Sequence, residues 1–172
     1  MRRSQEAEYS EFVTANLVPL RRFGYLVCGD WHRAEDAVQT VFVKLYVDWN
    51  RANRRSPVAY AQRMVVNALN DVHRRAWFQR EQLKEELPET FAPLDSDASD
   101  RRIVVLDALA KLPTRRRATL VLRFWADHSV EQTAEIMGCS AATVKSQTSR
   151  GLKSLRELLP NPLHESLEGI TP

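Results

Sequence analysis

"MGCSAATVKSQTSRGLKSLR", residues 137–156, decides how this chain is read. After the Gly-Cys-Ser break, only Val144, Leu152 and Leu155 are strongly apolar; Ser, Thr, Gln, Lys and Arg supply most of the rest. On a helical wheel, Val144, Thr148, Gly151, Leu152 and Leu155 fall on one side. Ala142, Ser146, Ser149, Arg150 and Lys153 form the other, flanked by Thr143 and Lys145. No carboxylate occurs between Glu135 and Glu157. A merely solvated helix would tend to include Glu, a good helix former, whereas a polyanion-binding face excludes it.

The residues just upstream supply the companion helix. Ser129-Val-Glu-Gln132 has the form of a capping box, and Val130, Thr133, Ala134 and Met137 share a face behind it. Gly138 can supply a left-handed exit and Ser140 can cap the next helix. Two short helices joined by a three-residue turn containing Gly make a helix-turn-helix pattern. Its second helix offers Thr143, Lys145, Ser146, Ser149, Arg150 and Lys153 to DNA. Small hydroxyl side chains permit close approach to a major groove, and Arg and Lys reach guanine edges or phosphates.

Further out, helical periodicity persists and no convincing strand alternation is found. The expected fold is all-α. Residues from about Glu6 to Leu26 make one helix or two, interrupted near Pro19. A second helix spans about Arg33 to Asp48, with Ala34, Val38, Val41, Leu45 and Trp49 as its apolar stripe. Val43 and Val47 fall on its opposite, polar side with Asp36, Thr40 and Lys44, a pattern of protein contact or of packing under another helix. Ser56-Pro57 is a helix start, Ser as cap and Pro in the first turn, for a helix reaching about Arg80. Val58, Ala61, Val65, Leu69, Val72 and Ala76 line its core side. Tyr60, Arg63, Asn67, Asn70, Asp71, Arg74 and Phe78 line the other, where rings can stack on unpaired bases and Arg and Asn can hold backbone and base edges. Packing of Tyr60 and Phe78 on neighbouring helices is the plainer alternative. Arg51, Arg54 and Arg55 add positive charge in the preceding loop.

Charge divides the 172 residues into three blocks. Residues 1–80 carry 13 Lys and Arg against 8 Asp and Glu; residues 81–107 carry 3 against 8; residues 108–172 carry 9 against 6. The middle block includes "EQLKEELPETFAPLDSDASD" (81–100), whose prolines, small residues and acids have linker composition. A short helix to Leu112, a restart at Pro113-Thr114 and a helix through Trp125 follow. The chain thus divides into a helical domain at 1–80, an acidic linker at 81–107, a second helical domain at 108–160 and a tail at 161–172. No apolar run approaches the ~20 residues that span a bilayer. Met1-Arg2-Arg3 is not followed by an apolar signal core, and Cys28 and Cys139 suggest reduced thiols of a cytoplasmic protein.

Enzyme chemistry finds no support in the sequence. His32, His73, His128 and His164 are scattered, without triad or metal-ligand spacing. Cys28 and His32 could share a metal if one helix carried both, but they have no further partner nearby. No catalytic residue, metal or cofactor is expected. Within DNA binding, a helix-turn-helix regulator acting apart from polymerase is the rival, though residues 1–80 show neither strands nor a heptad seam for a receiver or dimerisation domain. A helical adaptor that binds only proteins would lack salt-dependent DNA binding.

The stretch "DWHRAEDAVQTVFVKLY" (30–46) closely resembles the polymerase-binding helix of bacterial extracytoplasmic-function sigma factors, of the sigma-70 superfamily. "LPTRRRATLVLRFWADHSVEQTAEIMGCSAATVKSQTSRGLKSL" (112–155) resembles the same family, in the same order and separation. The resemblance implies that the first domain (region two) docks on the clamp coiled coil of core RNA polymerase through Glu35, Asp36, Gln39 and Lys44. It implies capture of the melted minus-ten promoter element by Asn67, with Tyr60, Arg63, Asn70 and Arg74 around it. Tyr60 stands where relatives commonly carry tryptophan. The second domain (region four) would read the minus-thirty-five duplex through the residues named above, and Leu112–Arg117 would lie near DNA backbone and the polymerase flap. The acidic linker would thread toward the polymerase cleft. Control by a separate anti-sigma factor or by expression level, and no membrane contact of its own, complete the expectation.

Overall fold

The computed structural model describes residues 3–52, 56–78 and 96–160, with side chains for 4–52, 56–70 and 101–160. Among the described residues every regular element is helical. They fall into two compact units, divided between Glu85 and Glu86.

The first unit holds α1 (Arg3–Cys28), α2 (Trp31–Ala52) and α3 (Pro57–Phe78). α1 runs through Pro19 as one helix. The lost backbone hydrogen bond is outweighed by burial on both sides of the proline, of Phe12 before it and Leu20, Phe23 and Val27 after it. Tyr9 donates its hydroxyl to the Phe42 carbonyl at 2.8 Å, and its ring meets Tyr46 and Trp49 edge-on. α2 extends four residues past the boundary expected from sequence, across non-helical backbone at Asp48 (φ −100°, ψ 15°). Trp49 and Ala52 are buried beyond that point, so packing draws the chain on. α3 starts where Ser56-Pro57 predicts: the Ala59 amide donates to the Ser56 hydroxyl at 3.3 Å. It ends at Phe78.

The second unit holds α4 (Ser96–Ala110), α5 (Thr114–Leu120), a π-helical turn (Val121–Trp125), α6 (Val130–Met137) and α7 (Ala141–Leu158). Composition places residues 96–107 in the linker, yet they are helical. Ala108 and Leu112 are buried with Leu120, Leu152, Leu155 and Leu159, and Val105 and Leu109 pack against that cluster. This apolar face turns the end of an acidic stretch into a helix. Residues 79–95, most of the stretch read as linker, and the tail from 161 lie outside the described residues, as do Arg54 and Arg55. The helix expected to run through Trp125 widens into the π turn, where the Ala126 and His128 amides reach back to the Val121 and Leu122 carbonyls at 2.9 and 3.0 Å.

Candidate nucleic-acid interface

The turn between α6 and α7 is assembled as the sequence dictates. The Gln132 amide donates to the Ser129 hydroxyl at 3.1 Å, and the Ser129 amide donates to the Gln132 side-chain oxygen at 2.8 Å, completing the capping box. Gly138 ends α6 in the left-handed region (φ 62°, ψ 42°), where any side chain would be strained. The Thr143 amide donates to the Ser140 hydroxyl at 3.1 Å, which caps α7. Val144, Thr148, Gly151, Leu152 and Leu155 are buried, the five positions the wheel assigns to the core. A Cβ on Gly151 would stand 3.1 Å from Leu120 side-chain atoms, so this glycine sets how closely α7 lies on α5.

With that side committed, the opposite side is free. Ala142, Lys145, Ser146, Ser149, Arg150 and Lys153 are exposed, and Thr143 is half-buried at the edge. An acid does stand within electrostatic reach, from the neighbouring helix. The Glu131 carboxyl is held below its usual range by a backbone amide, then by the Ser129 hydroxyl, with smaller pulls from Lys145 and Arg123. Burial pushes the His128 imidazole below its ordinary value, partly opposed by its hydrogen bond with Gln132 and by Asp127.

The triplet Arg115–Arg117, expected near DNA backbone as one group, splits. Arg115 is exposed. Arg116 donates to the Ser154 hydroxyl at 3.4 Å. Arg117 is buried and donates to the carbonyls of Ala110 and Leu112 at 2.7 and 3.2 Å, satisfying the turn from α4 to α5. Sequence reasoning missed this because charge alone suggests exposure. Phe124 and Trp125 are 42% and 52% exposed; helical periodicity assigns neither a face once the π turn shifts the register.

On α3, Arg63 and Asn67 are exposed and Tyr60 and Asn70 half-buried, along one ridge at helical spacing. Ala61, Val65 and Leu69 are buried opposite them, with Val66. Val58, assigned to the core side, is 37% exposed because it lies in the first turn, at the rim of the bundle. The side chains of Arg74, Asp71, Val72, Ala76 and Phe78 lie outside the described residues.

On α2, Asp36, Gln39 and Lys44 are exposed. Glu35 is half-buried and pairs with Arg21 of α1 at 3.5 Å. Val43 and Val47 stand 70% and 80% exposed, so among the described residues no other helix of this unit covers the second apolar strip. Cys28 and His32 do not share a helix: α1 ends at Cys28, whose thiol donates to the Asp30 carbonyl at 3.2 Å.

Described residues that are helical throughout and carry a capped helix-turn-helix, with hydroxyls and cations along its outer face, define a DNA-binding protein of that class. Residues 12–79 match the family model of Sigma-70 region 2, and residues 102–155 match that of Sigma-70, region 4. The RNA polymerase sigma-E factor of Streptomyces avermitilis is 32% identical over 164 residues, covering 92% of this chain and 89% of that one. Its counterpart from Streptomyces coelicolor is 34% identical over 160 residues, covering 88% and 86%. The ECF RNA polymerase sigma factor SigE of Mycolicibacterium smegmatis is 25% identical over 169 residues, 93% of this chain and 65% of that one. In fold, the chain is like the sigma factor RpoE of Bartonella quintana, crystallised with the anti-sigma factor NepR: TM-score 0.69 at 23% identity, over 88% of this chain and 96% of that one. The chain belongs to the extracytoplasmic-function RNA polymerase sigma factors of the sigma-70 family.

Proposed function

We propose that two helical faces of this sigma factor divide promoter recognition between them. The α7 face (Thr143, Lys145, Ser146, Ser149, Arg150, Lys153) reads the minus-thirty-five duplex. The α3 face (Tyr60, Arg63, Asn67, Asn70, Arg74) holds the melted minus-ten strand. Glu35, Asp36, Gln39 and Lys44 of α2 dock on the polymerase clamp. Residues 1–80 and 108–160 are then the two working domains, and 81–107 connects them, its last turns being part of α4. The protein acts in the cytoplasm as an initiation factor without catalytic chemistry of its own, open to control by an anti-sigma factor like the one bound in the Bartonella complex.

The observation that carries this reading is α7: one side is committed to the core, and the other, from Ala142 to Lys153, is a row of exposed hydroxyls and cations with no acid among them, Glu157 standing one turn beyond its end. Each face is small, so binding by either alone is weak. Core polymerase, holding both domains at fixed spacing, converts two weak contacts into one strong one. Loss of one base contact costs ~1–3 kcal/mol, and the phosphate contacts make binding fall steeply with salt.

Run-off transcription with core polymerase and a randomised promoter library tests the division. Arg150→Ala is expected to weaken use of promoters that depend on the upstream element while leaving polymerase association intact. Asp36→Arg is expected to abolish that association, and its co-purification with core polymerase at the wild-type level would refute the docking assignment.

A further inference from the structure

The leading edge of α7 departs from the rest of its outer face. Ser146, Ser149, Arg150 and Lys153 present hydrogen-bonding groups, but Ala142, one turn earlier on the same stripe, presents an exposed methyl group. Thr143 beside it could present either a hydroxyl or a methyl. Its hydroxyl oxygen lies 2.9 Å from the Ser140 hydroxyl, which also receives the Thr143 amide. The side-chain oxygen is thus engaged by the helix cap, and the methyl is left as the free end of the side chain.

The first turn of the second helix in a helix-turn-helix is the part that contacts base edges in the major groove. There the only apolar group that distinguishes the four base pairs is the thymine 5-methyl. We propose that Ala142 and the Thr143 methyl form an apolar reading edge that selects thymine, by its 5-methyl group, within the upstream promoter element. This inference rests on α7 being the duplex-reading helix and adds the chemical feature that its first turn recognises. The capping bonds gain a second role, since they hold the Thr143 hydroxyl toward Ser140 and leave the methyl as the group turned to the groove.

Replacing thymine by uracil removes that methyl and leaves every hydrogen-bonding group of the base pair in place. The test uses holoenzyme reconstituted from this protein and core polymerase, on a promoter selected from a randomised library. Each thymine of the upstream element is replaced in turn by uracil, and binding is followed by fluorescence anisotropy. Burial of one methyl predicts about a fourfold preference for thymine at one or two positions. Thr143→Ser, which keeps the capping hydroxyl and removes the methyl, is expected to lower that preference. Thr143→Val, which keeps a methyl and removes the hydroxyl, is expected to retain more of it. Ala142→Gly is expected to lose its share of the preference. Wild-type binding that is indifferent to uracil at every position would overturn the inference, and this arm needs no variant to fold. An unchanged thymine preference in both Thr143→Ser and Ala142→Gly would overturn it as well. Loss of thymine preference together with insensitivity to Arg150→Ala would instead bring down the reading of α7 as the duplex reader.

Discussion

Thr133 gives the sharpest check on the packing beneath α7. It sits in α6 with no measurable exposure, and its hydroxyl oxygen has no hydrogen-bond partner. A buried hydroxyl without a partner costs about 1–3 kcal/mol relative to its solvated state in the unfolded chain. Valine has nearly the same shape and nearly the same helix propensity, so Thr133→Val removes the polar atom and little else. We expect the domain to gain about 1–2 kcal/mol, allowing for some imperfect packing of the new methyl. The assay is native-state hydrogen exchange on the full-length protein, following the slowest amides of α7. Those amides report opening of this domain whatever the other domain does. A gain of that size slows their exchange roughly 5- to 30-fold. Thr133 lies on the core side, away from the outer face of α7, so promoter preference should stay as it is. Unchanged or faster exchange in the variant would refute the reasoning, because it would mean that the hydroxyl is satisfied in the folded protein.

Other perturbations follow from the same geometry. Ser129→Ala removes half of the capping box and should destabilise this domain by about 1 kcal/mol, read from the urea midpoint. Arg117→Met keeps the aliphatic stem but strands the carbonyls of Ala110 and Leu112; a loss of about 2–3 kcal/mol is expected in the same measurement. His128 resists protonation in the folded state because it is partly buried, so the unfolded chain binds more protons as acidity rises. Its contribution is therefore level above the ordinary histidine value of 6.5 and becomes destabilising as pH falls through it; His128→Asn should flatten that part of the stability–pH curve relative to wild type.

Much of the fold is legible in the sequence where local chemistry and packing agree. Ser56-Pro57, Ser129 with Gln132, Gly138 and Ser140 each act within three or four residues, and each is found doing what its chemistry permits. The buried and exposed sides of α7 follow from periodicity because its buried residues, Val144, Thr148, Gly151, Leu152 and Leu155, all lie on one side of the helix. Misreadings arise where distant parts of the chain decide. Trp49 and Ala52 extend α2 because the first helix covers Trp49, which no window around Asp48 can reveal. α4 opens on acids and small residues, and its apolar second half is held as a helix by burial against Leu120, Leu152, Leu155 and Leu159 from further along the chain. Arg117 is the clearest case. Two carbonyls from the preceding turn create its site, and they exist only once α4 and α5 are in place.

The separation of roles within α7 bears on how its specificity can change. Its attachment to the domain is carried by Val144, Thr148, Gly151, Leu152 and Leu155, and by the cap at Ser140. None of these side chains is among the exposed residues Ser146, Ser149, Arg150 and Lys153. Substitutions on the outer row therefore act on solvent-exposed groups, where stability effects are commonly within about 0.5 kcal/mol. Changes in DNA contact at the same positions are worth more, about 1–3 kcal/mol for a bidentate base pairing. Promoter preference can thus be rewritten at little cost in folding, except at Thr143. There the cap and the proposed reading edge share one side chain, so a substitution aimed at base preference also disturbs the start of the helix. Thr143 should consequently be the position on this face where altered specificity and altered stability appear together.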